Sequence, residues 1–302
     1  MNGAFSKINP QLQVIWDATS LSTFKECPMK YKLSIIDGWT PRQAALALDF
    51  GIAFHSALES YYRRKAAGVP FDQNEVTTLL EVLQSPLRAS IESYSDPDRS
   101  IKTLFFSVFE YLENYRLETD ETVVLPDGTV GIELHFQFET PYTYSSGESI
   151  SFAGHLDRLA TGPMGTMVYD HKTSVRPLTE FYFKQYKPNT QMTLYTLCGE
   201  ICYSSPVRGV IIDAVDLRNA AFNRQPTLRT KEYCEEWLHD QRSWFLLAEH
   251  CATTGHWPQN DSACHKYSGC PFQEYCTAPC SVRKAILEEN FTKRVWDPSV
   301  PR

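Results

Sequence analysis

"GHLDRLATGPMGTMVYDHKTS", residues 154–174, carries two aspartates, Asp157 and Asp170, at equal distances from the connection Gly162-Pro163-Met164-Gly165. Both flanks are largely apolar and the connection is turn chemistry, so the stretch reads as two strands joined by a tight hairpin. In that register the aspartates face each other, with Cβ atoms about 4.5–5.5 Å apart. Like charges so placed repel, and a hard divalent cation between them reverses the sign. Lys172 lies two residues past Asp170 and shares its face, because strand side chains alternate. A slip of one residue dissolves this constellation, and an ion-paired surface strand explains Asp-x-Lys equally well at this point.

The segments around the hairpin extend the sheet. "GIELHFQFET", residues 131–140, alternates Ile132, Leu134, Phe136 and Phe138 against Glu133, His135, Gln137 and Glu139, the pattern of a half-buried strand. Glu133 points to the polar side, where it would serve or support a metal. "VRGVIIDAVDLR", residues 207–218, is a further strand. "NTQMTLYTLCGEICY", residues 189–203, is helical after Pro188, and Gln191 and Tyr195 share one helix face, a polar edge if nothing else joins them.

Helices dominate both ends. "DATSLSTFKECPMKYKLSII", residues 17–36, reads as a short helix capped by Ser20 or Ser22, with Leu21, Phe24 and the Cys27–Tyr31 stretch apolar. "LDFGIAFHSALESYYRRKAAG", residues 48–68, repeats Ile52, His55, Leu58, Glu59 and Tyr62 at helical spacing. His55 taken alone is a core histidine. Residues 72–118 are helical with breaks near 85–99, and residues 230–255 form a long amphipathic helix stopped by Gly255. The expectation is α/β, with helices flanking a central mixed or antiparallel sheet.

The 302 residues and net charge of −7 argue against wholesale coating of nucleic acid, although a local basic patch suffices for binding. Arg63, Arg64, Lys184 and Lys187 are candidates for such a patch, or ordinary surface charge. No signal-like start and no bilayer-length apolar run is present, so a soluble intracellular protein is expected. Disulfides are not expected among the nine cysteines of such a protein. Cys198, Cys202, Cys234 and Cys251 sit in apolar helical patterns. Cys264, Cys270, Cys276 and Cys280 crowd one loop, and Cys27 stands alone. Four thiolates suit an iron–sulfur cluster or structural zinc, although the gaps here are wider than the usual zinc knuckle.

Six segments in order resemble a RecB-like nuclease of the PD-(D/E)XK superfamily, in particular its phage and bacterial single-domain members: "SLSTFKECPMKY", "GIAFHSALE", "GHLDRL", "YDHKTS", "QMTLY" and "CHKYSGCPFQEYC". The resemblance implies a restriction-endonuclease-like core and a metal-dependent deoxyribonuclease, in the main an exonuclease, acting in DNA recombination, repair or processing. It implies Mg²⁺ or Mn²⁺ held by His55, Asp157, Asp170 and the carbonyl of His171, with a histidine ligand favouring Mn²⁺. Lys172 becomes the residue that orients the attacking hydroxide, with Gln191 and Tyr195 as positioners. Cys27, Cys264, Cys270 and Cys276 become ligands of a structural [4Fe–4S] cluster, leaving Cys280 spare. One nuclease domain over 1–302 is expected, with a helical part at about 45–120, a catalytic core at about 130–217 and a C-terminal helix and cysteine segment at about 229–282. With no Gly-x-x-x-x-Gly-Lys-[Ser/Thr] loop in the sequence, ATP-driven unwinding would fall to a partner, a helicase or recombination protein. The setting implied is the cytoplasm of a bacterium or phage-infected cell, with DNA as partner and no membrane. The competing expectations are a catalytically silent DNA-binding subunit of the same fold and a zinc-stapled interaction protein.

Overall fold

A computed structural model describes residues 3–42, 46–203, 206–266 and 269–300. Its strands are β1 (Ile15–Trp16), β2 (Trp39–Pro41), β3 (Glu121–Thr122), β4 (Ile132–Thr143), β5 (Ser149–Gly162), β6 (Gly165–Ser174), β7 (Gly209–Asp216), β8 (Ala221–Leu228) and β9 (Phe291–Lys293). The α-helices are α1 (Ala18–Glu26), α2 (Pro28–Tyr31), α3 (Leu46–Ala66), α4 (Phe71–Leu83), α5 (Arg88–Glu92), α6 (Ile101–Asn114), α7 (Glu180–Lys184), α8 (Thr190–Tyr203), α9 (Lys231–Thr254), α10 (Gln273–Thr277) and α11 (Arg283–Asn290). The class is α/β, a mixed sheet flanked by helices. The chain forms two compact units, Ala44–Leu134 with His155–Thr230, and Met1–Gln43 with His135–Gly154 and Lys231–Arg302. Among the described residues no helix is long and apolar enough to cross a membrane.

In the first unit the hairpin turns where the symmetry of its sequence places it: Gly162 pairs Gly165 and the antiparallel ladder runs back to Arg158↔Tyr169. Gly165 takes φ +87°, a conformation that favours glycine. β6 then pairs β7 in parallel, with Asp170 beside Ile212. A parallel neighbour needs a long crossover, and α7 and α8 supply it. Every residue of β7 is buried, as expected of a central strand covered on both faces. β8 closes the order as an edge strand, which is where Pro226 is tolerated. Helices α3 to α6 bury Phe50, Phe54, Leu58, Val108 and Tyr111 against Ile132 and Val215. The buried face of α3 runs through Phe54, Leu58, Tyr61 and Tyr62, while Ile52 is 45% exposed. Ile52 was expected on the apolar face; it lies two residues before Phe54, about 200° away around the helix.

The second unit packs aromatic side chains. Trp16 stacks on Tyr31 at 5.4 Å and meets Phe24 and Phe245 at 5.8 Å each. Trp16 Nε1 donates to the Tyr144 hydroxyl at 3.0 Å, so the indole is buried without an orphan donor. A Cβ at Gly154 would come within 2.9 Å of the Phe136 ring, which explains a glycine inside a strand. β2 and β9 pair antiparallel, joining Trp39 to Lys293 across most of the sequence. Neither Ser20 nor Ser22 caps α1. Asp17 is the cap, and Ser20 returns the bond from the third helical position as a capping box. An aspartate there accepts from Ser20 N, which a serine already inside the helix cannot do for its own first turn. Cys198, Cys234 and Cys251 are buried as expected, whereas Cys202 is half-buried.

Candidate functional site

Asp157 and Asp170 are next in line beyond the last ladder pair, Arg158↔Tyr169. There Asp157 Oδ2 accepts from the amide of His171 at 2.9 Å. α3 brings His55 to the same carboxylate, with Nδ1 3.4 Å from Oδ2 and Nε2 2.9 Å from the His171 carbonyl oxygen. Burial would raise the Asp157 carboxyl, but His55, His171 and Lys172 together hold it well below the usual carboxylate range. Burial likewise opposes charge on His55, and Asp157 overrides it and moves the imidazole upward.

Asp170 is 1% exposed. Its Oδ2 is 2.7 Å from Lys172 Nζ, and its Oδ1 has no hydrogen-bond partner. Burial, offset by Lys172 and reinforced by Asp157, raises its pKa. Lys172 is opposed by burial, yet Asp170 and Asp157 keep it an ammonium. Its Nζ donates to Gln191 Oε1 at 3.4 Å, and Gln191 Nε2 donates to the Tyr195 hydroxyl at 2.8 Å. Hairpin, α3 and α8 therefore bring together His55, Asp157, Asp170, His171, Lys172, Gln191 and Tyr195.

Donor atoms of His55, Glu133 and Asp157 lie within 4.8 Å of one another. Glu133 was the weakest of the expected residues. Its backbone sits at φ +47°, a left-handed conformation costing a non-glycine about 1–3 kcal/mol and persisting only where the surroundings impose it. Asp170 stands outside this trio, facing Lys172, and the His171 carbonyl is occupied by His55. Three carboxylates against one ammonium, with a buried carboxylate oxygen lacking a donor, fit a divalent cation.

Behind the site lies a buried ionic network with no counterpart among the expectations. Arg158 NH1 meets Glu118 Oε1 at 2.6 Å, and Arg224 bridges Glu118 Oε2 at 2.7 Å and Asp213 Oδ2 at 3.0 Å. Tyr111 donates to Asp213 at 2.6 Å. Burial would raise the Glu118 carboxyl, and Arg158, Arg224 and Lys65 bring it below its usual value. The one trace in the sequence is a charge inside the apolar run "VIIDAVD". Two of the four basic candidates are otherwise engaged. Arg63 holds Glu59 and the Ile132 carbonyl, and Arg64 holds Asn74, Thr78 and Glu81. Lys184 and Lys187 are exposed.

In the other unit, Cys27, Cys264, Cys270 and Cys276 line one cavity of about 220 Å³. Cys280 is exposed and is not part of its lining. Burial raises the thiols of Cys270 and Cys276, the latter to about 11. Four thiols converging on one cavity suit a metal or cluster, which binds thiolates and lowers such values. The amide of Asn260 approaches Cys27 Sγ at 3.4 Å, and Arg283 clamps the carbonyls of Cys276 and Ala278 at 3.1 and 3.0 Å.

A family model described as the PD-(D/E)XK nuclease superfamily matches residues 16–277. That span includes every residue of both clusters. The Gene 69 protein of Mycobacterium phage D29 is 27% identical over 191 residues, covering 58% of this chain and 68% of the phage protein. A crystal structure from Eubacterium rectale, named provisionally as an exonuclease, aligns with a TM-score of 0.49 and 12% identity over 90% of this chain and 92% of that one.

Proposed function

The chain belongs to the PD-(D/E)XK nuclease superfamily, and from that premise we propose a Mg²⁺- or Mn²⁺-dependent deoxyribonuclease that degrades DNA from its ends. The observation that carries the metal is the trio of His55, Glu133 and Asp157 beside the donor-poor carboxylate of Asp170. A bound divalent cation supplies charge for a phosphoryl oxygen and acidity for water. The protein's own groups do the rest. Asp157 and Asp170 present oxygens on one side of the hairpin end. Lys172, kept protonated by those carboxylates, stabilises negative charge developing on the phosphate and orients the attacking oxygen. Gln191, braced by Tyr195, fixes where the ammonium sits. The nitrogen donor of His55 favours Mn²⁺ over Mg²⁺. The exonucleolytic part rests on the resemblance to RecB-like members. So do a role in recombination or repair, a helicase or recombination protein as partner, a cytoplasmic setting, and one nuclease domain over 1–302.

We read Cys27, Cys264, Cys270 and Cys276 as ligands of a structural [4Fe–4S] cluster. The cavity they share, and the absence of Cys280 from its lining, support that set over a purely local one. Closing the long loop to Cys27 costs little extra, since the entropic penalty grows only logarithmically with length.

The test uses anaerobically purified protein with end-labelled DNA, single- and double-stranded, linear and circular, in Mg²⁺ or Mn²⁺. Linear DNA should be degraded and circles spared. Cleavage of circles would replace the exonucleolytic reading with an endonucleolytic one. Full activity of Lys172→Ala would overturn the mechanism. Zinc in place of iron and sulfide would overturn the cluster.

A further inference from the structure

His171 lies between Asp170 and Lys172 in β6, so its side chain projects to the face opposite theirs. Its backbone stays on the site. The amide holds Asp157 at 2.9 Å and the carbonyl accepts His55 Nε2 at 2.9 Å. A carbonyl only accepts, so Nε2 carries a proton, and Nδ1, the nitrogen 3.4 Å from Asp157, is the one whose lone pair a cation bound between them would take up. One residue thus sets both the carboxylate and the tautomer of the imidazole.

The ring of His171 is itself fixed from behind. Its Nδ1 is 3.3 Å from Asp213 Oδ2. It stacks on Tyr62 with centroids 6.0 Å apart and planes 10° from parallel, and meets Tyr111 edge-on at 6.1 Å. Asp213 is fully buried on the central strand and held by Arg224 and Tyr111. An acid at that position removes a charge from water, a cost a hydrophobic residue would avoid. Arg224 balances that charge within the core, and the same carboxylate oxygen also faces the ring of His171.

We propose that Asp213 is a positioning residue of the nuclease site, acting through His171 to hold Asp157 and the metal-binding tautomer of His55. The partner it serves is the divalent cation, and the inference rests on the metal reading given above. Groups that support a metal's ligands without touching the metal typically change affinity by about 10–100-fold when removed.

The experiment is titration of the full chain with Mn²⁺ alone, read by calorimetry, alongside thermal unfolding without metal. Asp213→Asn should weaken Mn²⁺ binding about 10–100-fold in protein that remains folded. His171→Phe keeps the backbone amide and carbonyl and the stack on Tyr62, but loses Nδ1; it should weaken binding comparably, and it decides the matter alone if Asp213→Asn does not fold. Glu118→Gln disturbs the same network away from His171. It should lower the melting temperature while leaving Mn²⁺ affinity within about twofold, against the 10–100-fold expected for the other two. Wild-type affinity in both Asp213→Asn and His171→Phe would overturn the proposal. So would equal weakening in Glu118→Gln, which would make the network structural only. Failure of the wild-type chain to bind Mn²⁺ would instead overturn the metal reading itself.

Discussion

The hairpin site and the cysteine cavity gather ligand-type residues in opposite ways. At the hairpin, each group already has a protein partner: Asp157 the His171 amide, Lys172 the Asp170 carboxylate, Gln191 the Tyr195 hydroxyl. The surrounding core is large, with α3 and α6 packed on the sheet. Around the cysteines the apolar support is a small cluster of Leu33, Phe272, Leu287 and Phe291. Burial there keeps Cys270 and Cys276 as thiols, the wrong state for ligation. The first region is organised before any ligand arrives. On the cluster reading proposed above, the second would gain its organisation from the ligand, because binding energy there is also folding energy.

The most severe test of that contrast is Cys27→Ser. We expect iron and sulfide to be lost, and amide exchange to rise across residues 261–290 while residues 154–174 stay protected; mass-spectrometric hydrogen exchange reads both. Equal loosening of the hairpin would erase the distinction. Glu118→Gln comes next, because removing one partner of a buried ion pair costs about 3–5 kcal/mol. Its sign with pH is fixed. The native carboxyl is depressed, so its contribution is complete above the unfolded value of about 4.3 and is lost as pH falls through the native one. Denaturant melts at falling pH should show wild type losing more stability than the variant; parallel curves would remove Glu118 from the acid response. Lys172→Ala should cut turnover by about 10²–10³-fold, the usual cost of losing one electrostatic stabiliser. Single-turnover cleavage measures this, and the cysteine cavity should keep its iron. Asp17→Ala removes a cap and should cost about 0.5–2 kcal/mol, read as a lower melting temperature. Cys280→Ser marks the floor, with iron content and melting temperature unchanged; loss of iron would transfer the ligand role to the local set.

The parts legible beforehand were those with local or periodic causes. The hairpin register follows from the symmetry of Asp157 and Asp170 about the turn, and β4 from strict alternation ending at Phe138. His55, Gln191 and Tyr195 were reached through resemblance to known motifs, since helical spacing alone read His55 as core. Long-range features were not legible. The pairing of Glu118 with Arg158 and Arg224 joins residues far apart in sequence, and a buried ion pair has no period to detect. β8 mixes Asn223, Arg224, Gln225 and Pro226, an edge-strand composition that resembles a loop. Glu133 showed its polar side but not its convergence on His55, which depends on a backbone conformation that glutamate rarely adopts. The cap at Asp17 was missed because two serines nearby offered the same chemistry.

The hairpin turn has a consequence for inheritance. Twelve residues separate Asp157 from Asp170, and because strand side chains alternate, their number matters more than their identity. Met164 at the tip is 43% exposed, so a substitution there should pass unnoticed. Loss or gain of a single codon in the same place would turn Asp170 and Lys172 to the wrong face of the sheet. A library of variants selected for nuclease activity should therefore tolerate spelling changes at position 164 and reject length changes of one, in a loop whose surface position alone would suggest that both are harmless.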